Sequence, residues 1–159
     1  MANITIGISE MRVSNNADDI LITYSLGSCI GLTLYDPVVG VGGMVHCMLP
    51  LSKADASKSQ ENPCMYVDTG VLALLGRLFE HGSQRKNIIA KIAGGSNILD
   101  EREVFKIGER NYTMVRKVLW KNDILIRGEE VGGSIARTMI LHIKDGRTFI
   151  KSAGEEREL

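Results

Sequence analysis

The apolar residues of this chain change period partway along it, and that change limits the folds open to it. Asp19 to Tyr24, Ile30 to Tyr35 and Met44 to Met48 are short β-rich runs. They are set off by the turn-like Ser14-Asn15-Asn16-Ala17-Asp18, by Asp36-Pro37 and by a glycine cluster at Gly40 to Gly43. Val67, Val71, Leu72, Leu74, Leu75, Leu78 and Phe79 then recur at helical spacing, with Gly82 placed as a C-terminal cap. The spacing predicts a helix over about 66–81. Between these two regimes, Ser52 to Pro63 is polar and reads as a mobile surface loop.

The second half repeats the mixture. Asn87 to Ala93 reads as a buried strand ending at Gly94-Gly95-Ser96-Asn97. Met114, Val115, Val118 and Leu119 predict a helix over about 109–121. Asp123 to Glu129 and Ala136 to Ile143 read as strands around Gly132-Gly133. Lys144-Asp145-Gly146-Arg147 is a hairpin signal, with Thr148 to Lys151 returning. Glu155 to Leu159 reads as a charged, frayed tail. No linker or charge run divides the 159 residues, so one domain is expected.

Charge and cysteine content narrow the function. Lys plus Arg and Asp plus Glu both count 19, which argues against nucleic acid as the main partner. No apolar run approaches the roughly 20 residues a membrane span needs, and the N-terminus does not resemble a signal peptide. Three cysteines without a secretion signal suit free thiols in a reducing cytoplasm.

Cys29 and His46 carry the strongest chemical lead. Cys29 follows the small-residue turn Gly27-Ser28, and His46 lies in an apolar strand. A thiolate is the reactive form of cysteine, its ordinary pKa is about 8.5, and an imidazole can take its proton. Gly27-Ser28-Cys29-Ile30-Gly31 has nucleophile-elbow spacing, but a strand follows it rather than a helix, so an α/β-hydrolase is excluded. The turn would leave backbone N–H groups of Gly27 and Ser28 facing an oxyanion. From the residues alone, Cys29 as a buried core thiol and Cys29 as a nucleophile both stand, as do a packed and a working His46. A metal site is disfavoured. Cys47 and Cys64 complete no paired zinc motif, and adjacent His46 and Cys47 point to opposite faces of a strand. Neither glycine cluster carries the ending of a phosphate loop.

Across nearly its whole length the chain resembles the CheD family of chemoreceptor glutamine deamidases. The matching pieces, in order, are Thr23-x-x-Leu26-Gly27-Ser28-Cys29, Gly43-x-x-His46-x-x-Leu49-Pro50, Tyr66-x-Asp68, Ala90-Lys91-Ile92-Ala93-Gly94-Gly95, Ile107-Gly108-x-Arg110-Asn111 and Gly132-Gly133-x-x-Ala136-Arg137. The resemblance implies an α+β fold, a layered β-sandwich flanked by helices, similar to toxin domains that deamidate glutamine. It implies Cys29 as nucleophile, His46 as general base and Thr23 as the residue that orients the imidazole, with no cofactor and no metal. It also implies chemoreceptor cytoplasmic helices as substrate and a CheC-type phosphatase as partner. A non-enzymatic adaptor that binds the same partners is the alternative, and intact Thr23, Cys29 and His46 argue against it.

Overall fold

The computed structural model describes residues 2–54, 56–97 and 106–159. Two of its strands, β4 (Ile30–Asp36) and β5 (Val41–Cys47), have every residue buried. A strand buried on both faces needs a layer on each side. Here one side is a second sheet and the other a pair of helices.

The first sheet has the order β1 (Ala2–Thr5), β3 (Asp19–Leu26), β8 (Arg137–His142), β9 (Thr148–Ser152), β10 (Glu155–Glu158). The second has the order β2 (Met11–Ser14), β5, β4, β6 (Ile89–Gly94), β7 (Leu125–Val131). Each sheet is mixed, since β1 runs parallel to β3 and β7 parallel to β6 while their other neighbours are antiparallel.

Side-chain alternation divides the central strands between two cores. Ile30, Leu32, Leu34, Val41, Val45 and Cys47 pack with Val71, Leu74, Leu75 and Leu78 of α2 (Val67–Glu80) and Val115 and Leu119 of α3 (Ile107–Lys121). Met44, on the opposite face of β5, joins Leu21, Leu26, Met139, Leu141 and Ile150 between the sheets. Each fully buried aliphatic side chain removes enough apolar area to favour folding by about 1.5–3 kcal/mol. The layers are therefore sheet, sheet, helices, with both long helices on one side.

The expected helices both form. α2 ends with Ser83 N–H donating to the Leu78 carbonyl and Gly82 at φ 91°, the left-handed cap that its glycine supplies. The hairpin at Lys144 to Arg147 also forms, between β8 and β9.

Three expectations need correction. The turn read across Gly40 to Gly43 is confined to Gly40, and β5 starts at Val41. Gly42 and Gly43 serve the strand itself, because Tyr35 and Leu74 fill the space their side chains would need. The polar segment after Pro50 is not an irregular loop. It contains short helical pieces at Ser52–Ala54, α1 (Ala56–Glu61) and Pro63–Met65, with Asp55 outside the described residues. The charged tail is not frayed, since Glu155–Glu158 pairs antiparallel with β9. Beyond these, the N-terminal stretch supplies two strands, β1 and β2, that short length and polar content hid.

Candidate active site

Thr23 enters the site from the first sheet and His46 from the second. β3 turns Leu21 and Thr23 toward the opposing sheet, and both are fully buried. His46 shares the inner face of β5 with Met44, while Cys47 turns toward the helices. Two backbone bonds from the segment before β2 fix the His46 peptide units. Ser9 N–H donates to the His46 carbonyl at 2.8 Å, and His46 N–H donates to Glu10 at 3.1 Å.

The Thr23 hydroxyl lies 2.7 Å from His46 Nδ1 and 2.8 Å from the Ile6 carbonyl oxygen. A carbonyl can only accept, and a hydroxyl has one proton to give. Thr23 therefore donates to Ile6, and its oxygen accepts from Nδ1–H. This assigns the imidazole tautomer and leaves Nε2 as a bare acceptor. Nε2 is buried and has no hydrogen-bond partner among the described residues. A buried acceptor without a partner is costly unless the site uses it. Burial also lowers the His46 pKa from 6.5 to about 4, so the ring is neutral at physiological pH.

Cys29 reaches the same space through a β-bulge. The register of β3 against β8 shifts between Thr23 and Leu26, and Ser25 there adopts φ 58°. The shift turns Leu26 back into the inter-sheet core and starts the turn Gly27-Ser28-Cys29. Gly31 of β4 pairs with His46 of β5. Cys29, two residues before Gly31 and just ahead of β4, packs against the inter-sheet core that His46 faces. Cys29 is half-buried and packs against the inter-sheet core, and no hydrogen bond joins its sulfur to Nε2 in the free protein. Burial raises its thiol pKa, and its own backbone N–H partly offsets that. At neutral pH the pair is thus a thiol and a neutral imidazole, not a preformed ion pair.

The turn is tied down by its carbonyls. Gly27 accepts from Ser96 N–H at 2.9 Å, Cys29 from Gly95 N–H at 2.9 Å, and Ser28 from the Asn111 side chain at 2.8 Å. The N–H groups of Gly27, Ser28 and Cys29 engage no other described residue. Gly94, at φ 104°, is required here, because a side chain on it would lie 2.2 Å from the Cys29 carbonyl oxygen. The Gly94-Gly95 pair is therefore the seat of the cysteine turn. Asn111 carried no site signal in the sequence beyond its place in a motif, because its role depends on contacts far away along the chain.

Cys47 and Cys64 lie elsewhere. Both are buried in the core under α2, where a side chain on Gly70 would collide with the Cys47 sulfur. Burial raises both thiol pKa values. Among the described residues, no cluster of three or more His, Cys, Asp or Glu could hold a metal ion, and no helix is long and apolar enough to cross a membrane.

Known proteins share this fold and sequence. The hypothetical protein YfiH of Bacillus licheniformis superposes with TM-score 0.50 at 15% identity, over 76% of this chain and 49% of the other. A Neisseria meningitidis protein of the DUF152 family superposes with TM-score 0.51 at 7% identity, over 82% of this chain and 64% of the other. At such low identity these matches speak for the fold alone. A Syntrophus aciditrophicus protein named probable chemoreceptor glutamine deamidase CheD 1 is 48% identical over 97% of this chain and 96% of its own length. A Solibacter usitatus protein named probable chemoreceptor glutamine deamidase CheD is 45% identical over 100% of this chain and 94% of its own. The family model described as CheD chemotactic sensory transduction matches residues 48–152. Thr23, Cys29 and His46 precede that segment but fall within the full-length alignment to the Solibacter relative. With a family model over most of its length and relatives this similar end to end, the chain belongs to the CheD family.

Proposed function

We propose that this protein hydrolyses the side-chain amide of selected glutamines in chemoreceptors, giving glutamate and ammonia. The observation that carries the reading is the Thr23–His46 bond, which leaves a bare imidazole nitrogen in the space shared with Cys29. The names of the similar proteins support the substrate class.

Cys29 attacks the amide carbon as His46 Nε2 takes the thiol proton. The C=O π bond opens to a tetrahedral oxyanion, which the N–H groups of the Gly27-Ser28-Cys29 turn receive. His46 returns the proton to the nitrogen, and ammonia leaves a thioester on Cys29. His46 then activates a water, whose attack releases glutamate and restores the thiol. Thr23 holds the ring in the productive tautomer throughout, the part a carboxylate or amide plays in other thiol enzymes. No cofactor enters this sequence.

The substrate glutamine is carried on a receptor helix in the cytoplasm. Half-exposed apolar residues suit such a ligand: Met48 follows the strand that carries His46, and Ile135 precedes the strand whose Arg137 pairs with Leu26. A CheC-type phosphatase would cover the same mouth, so it should raise the apparent KM for receptor without changing kcat. The deciding experiment is mass spectrometry of receptor fragments co-expressed with wild type or Cys29→Ala. The mass gain of amide to acid should appear only with wild type. Equal conversion with the variant would refute the assignment.

A further inference from the structure

Asn111 lies on α3, is fully buried, and makes two hydrogen bonds with one amide group. Its Nδ2 donates to the Ser28 carbonyl at 2.8 Å and to the Met48 carbonyl at 2.9 Å. Both partners can only accept, so the amide orientation is determined and both of its protons are used. Its Oδ1 is buried with no partner among the described residues. The two acceptors belong to the segments that carry the site. Ser28 precedes the cysteine in its turn, and Met48 stands two residues beyond His46 at the end of β5.

The Ser28 carbonyl shares a planar trans peptide unit with the Cys29 N–H. Fixing the carbonyl toward Asn111 aims that N–H the opposite way, out of the helix side and toward the sulfur. We propose that Asn111 is a positioning residue for the reaction. It sets the direction of the Cys29 N–H that receives the oxyanion, and it holds the cysteine turn at a constant distance from the strand bearing His46. The α3 helix can approach this closely because Gly108, one turn earlier, has no side chain; one there would lie 2.2 Å from the Ser96 carbonyl oxygen.

This inference rests on the reading of Cys29 as nucleophile, and its test separates the two. The variants are Asn111→Asp, which keeps the shape but cannot donate when ionised, and Asn111→Leu, which removes both donors without adding charge. Four quantities are measured on each folded protein: kcat and KM for a receptor fragment, the affinity of a peptide in which an aldehyde replaces the glutamine amide, and the rate of Cys29 alkylation by iodoacetamide. The aldehyde forms a thiohemiacetal whose oxygen needs the N–H donor, whereas alkylation at carbon does not. The expected result is a fall in kcat of roughly tenfold or more, a parallel loss of aldehyde affinity, KM within about twofold and little change in alkylation. If Asn111→Asp does not fold, Asn111→Leu is read in the same assays. A folded variant with wild-type kcat and aldehyde affinity would overturn the proposal, as would a joint loss of kcat, aldehyde affinity and alkylation rate. Wild-type protein that neither deamidates nor traps the aldehyde would refute the Cys29 reading itself, and this inference with it.

Discussion

Thr23 and His46 sit on different sheets, and a single 2.7 Å hydrogen bond joins them. The bond links catalytic geometry to the packing of one sheet on the other. Thr23→Val keeps the shape but orphans both the Ile6 carbonyl and His46 Nδ1–H. Each buried group left without a partner costs about 1–3 kcal/mol. Thermal melts should therefore show a clear loss of stability, and deamidation should fall because the tautomer is no longer held. His46→Ala should be worse for rate, by about 10²–10⁴-fold, since it removes the proton carrier. A Thr23→Val enzyme slower than His46→Ala would reverse the assigned roles.

The pKa of His46 gives the protein an acid-sensitive stability. Its value is about 4 in the fold against about 6.5 in the unfolded chain, so the unfolded state binds more protons between these limits. Stability is then full above about pH 6.5 and is lost as pH falls toward 4, by an amount of order 3 kcal/mol. Urea denaturation at successive pH values should show this slope in wild type and a flatter one in His46→Asn. Identical slopes would place the acid sensitivity elsewhere.

Cys29→Ala should end deamidation while changing stability little. The side chain is half-buried and small, so the cavity is minor. A melting temperature far below wild type would show that its packing against the inter-sheet core matters more than its small volume indicates.

Gly94→Ala should damage both fold and activity. Its backbone has φ 104°, and the added carbon would press on the Cys29 carbonyl oxygen. Backbone strain of this kind costs of order 1–3 kcal/mol before any shift of the cysteine turn. Wild-type activity in Gly94→Ala would show that the turn tolerates movement.

Cys47 and Cys64 should be dispensable for chemistry. Cys47→Ala and Cys64→Ala remove small apolar groups from the core under α2 and should retain kcat, with a modest drop in melting temperature. A loss of kcat without a loss of stability would give one of them a part in the reaction.

The sequence revealed most where burial was strongest. β4, the second half of β5 and α2 were legible because continuous or periodic apolar residues leave few alternatives. β10 was hidden because Glu155-Glu156-Arg157-Glu158 looks solvated. Its pairing with β9 comes from backbone hydrogen bonds, which side-chain polarity does not report, and Arg147 adds a 2.7 Å ion pair to Glu158. The site was legible in part. Composition and spacing left Cys29 and His46 open between core packing and chemistry, and family resemblance supplied Thr23. Asn111 was invisible as a site residue because its two acceptors lie 83 and 63 positions away along the chain.

The alternation of β5 makes correct pairing a condition of reactivity. His46 faces the inter-sheet space and Cys47 the helices. A slip of one residue would exchange their faces. The misfolded chain would then present a second thiol to Cys29 and no base. Strand register thus acts as an interlock: a chain that has paired wrongly carries its own safety catch and cannot begin to deamidate.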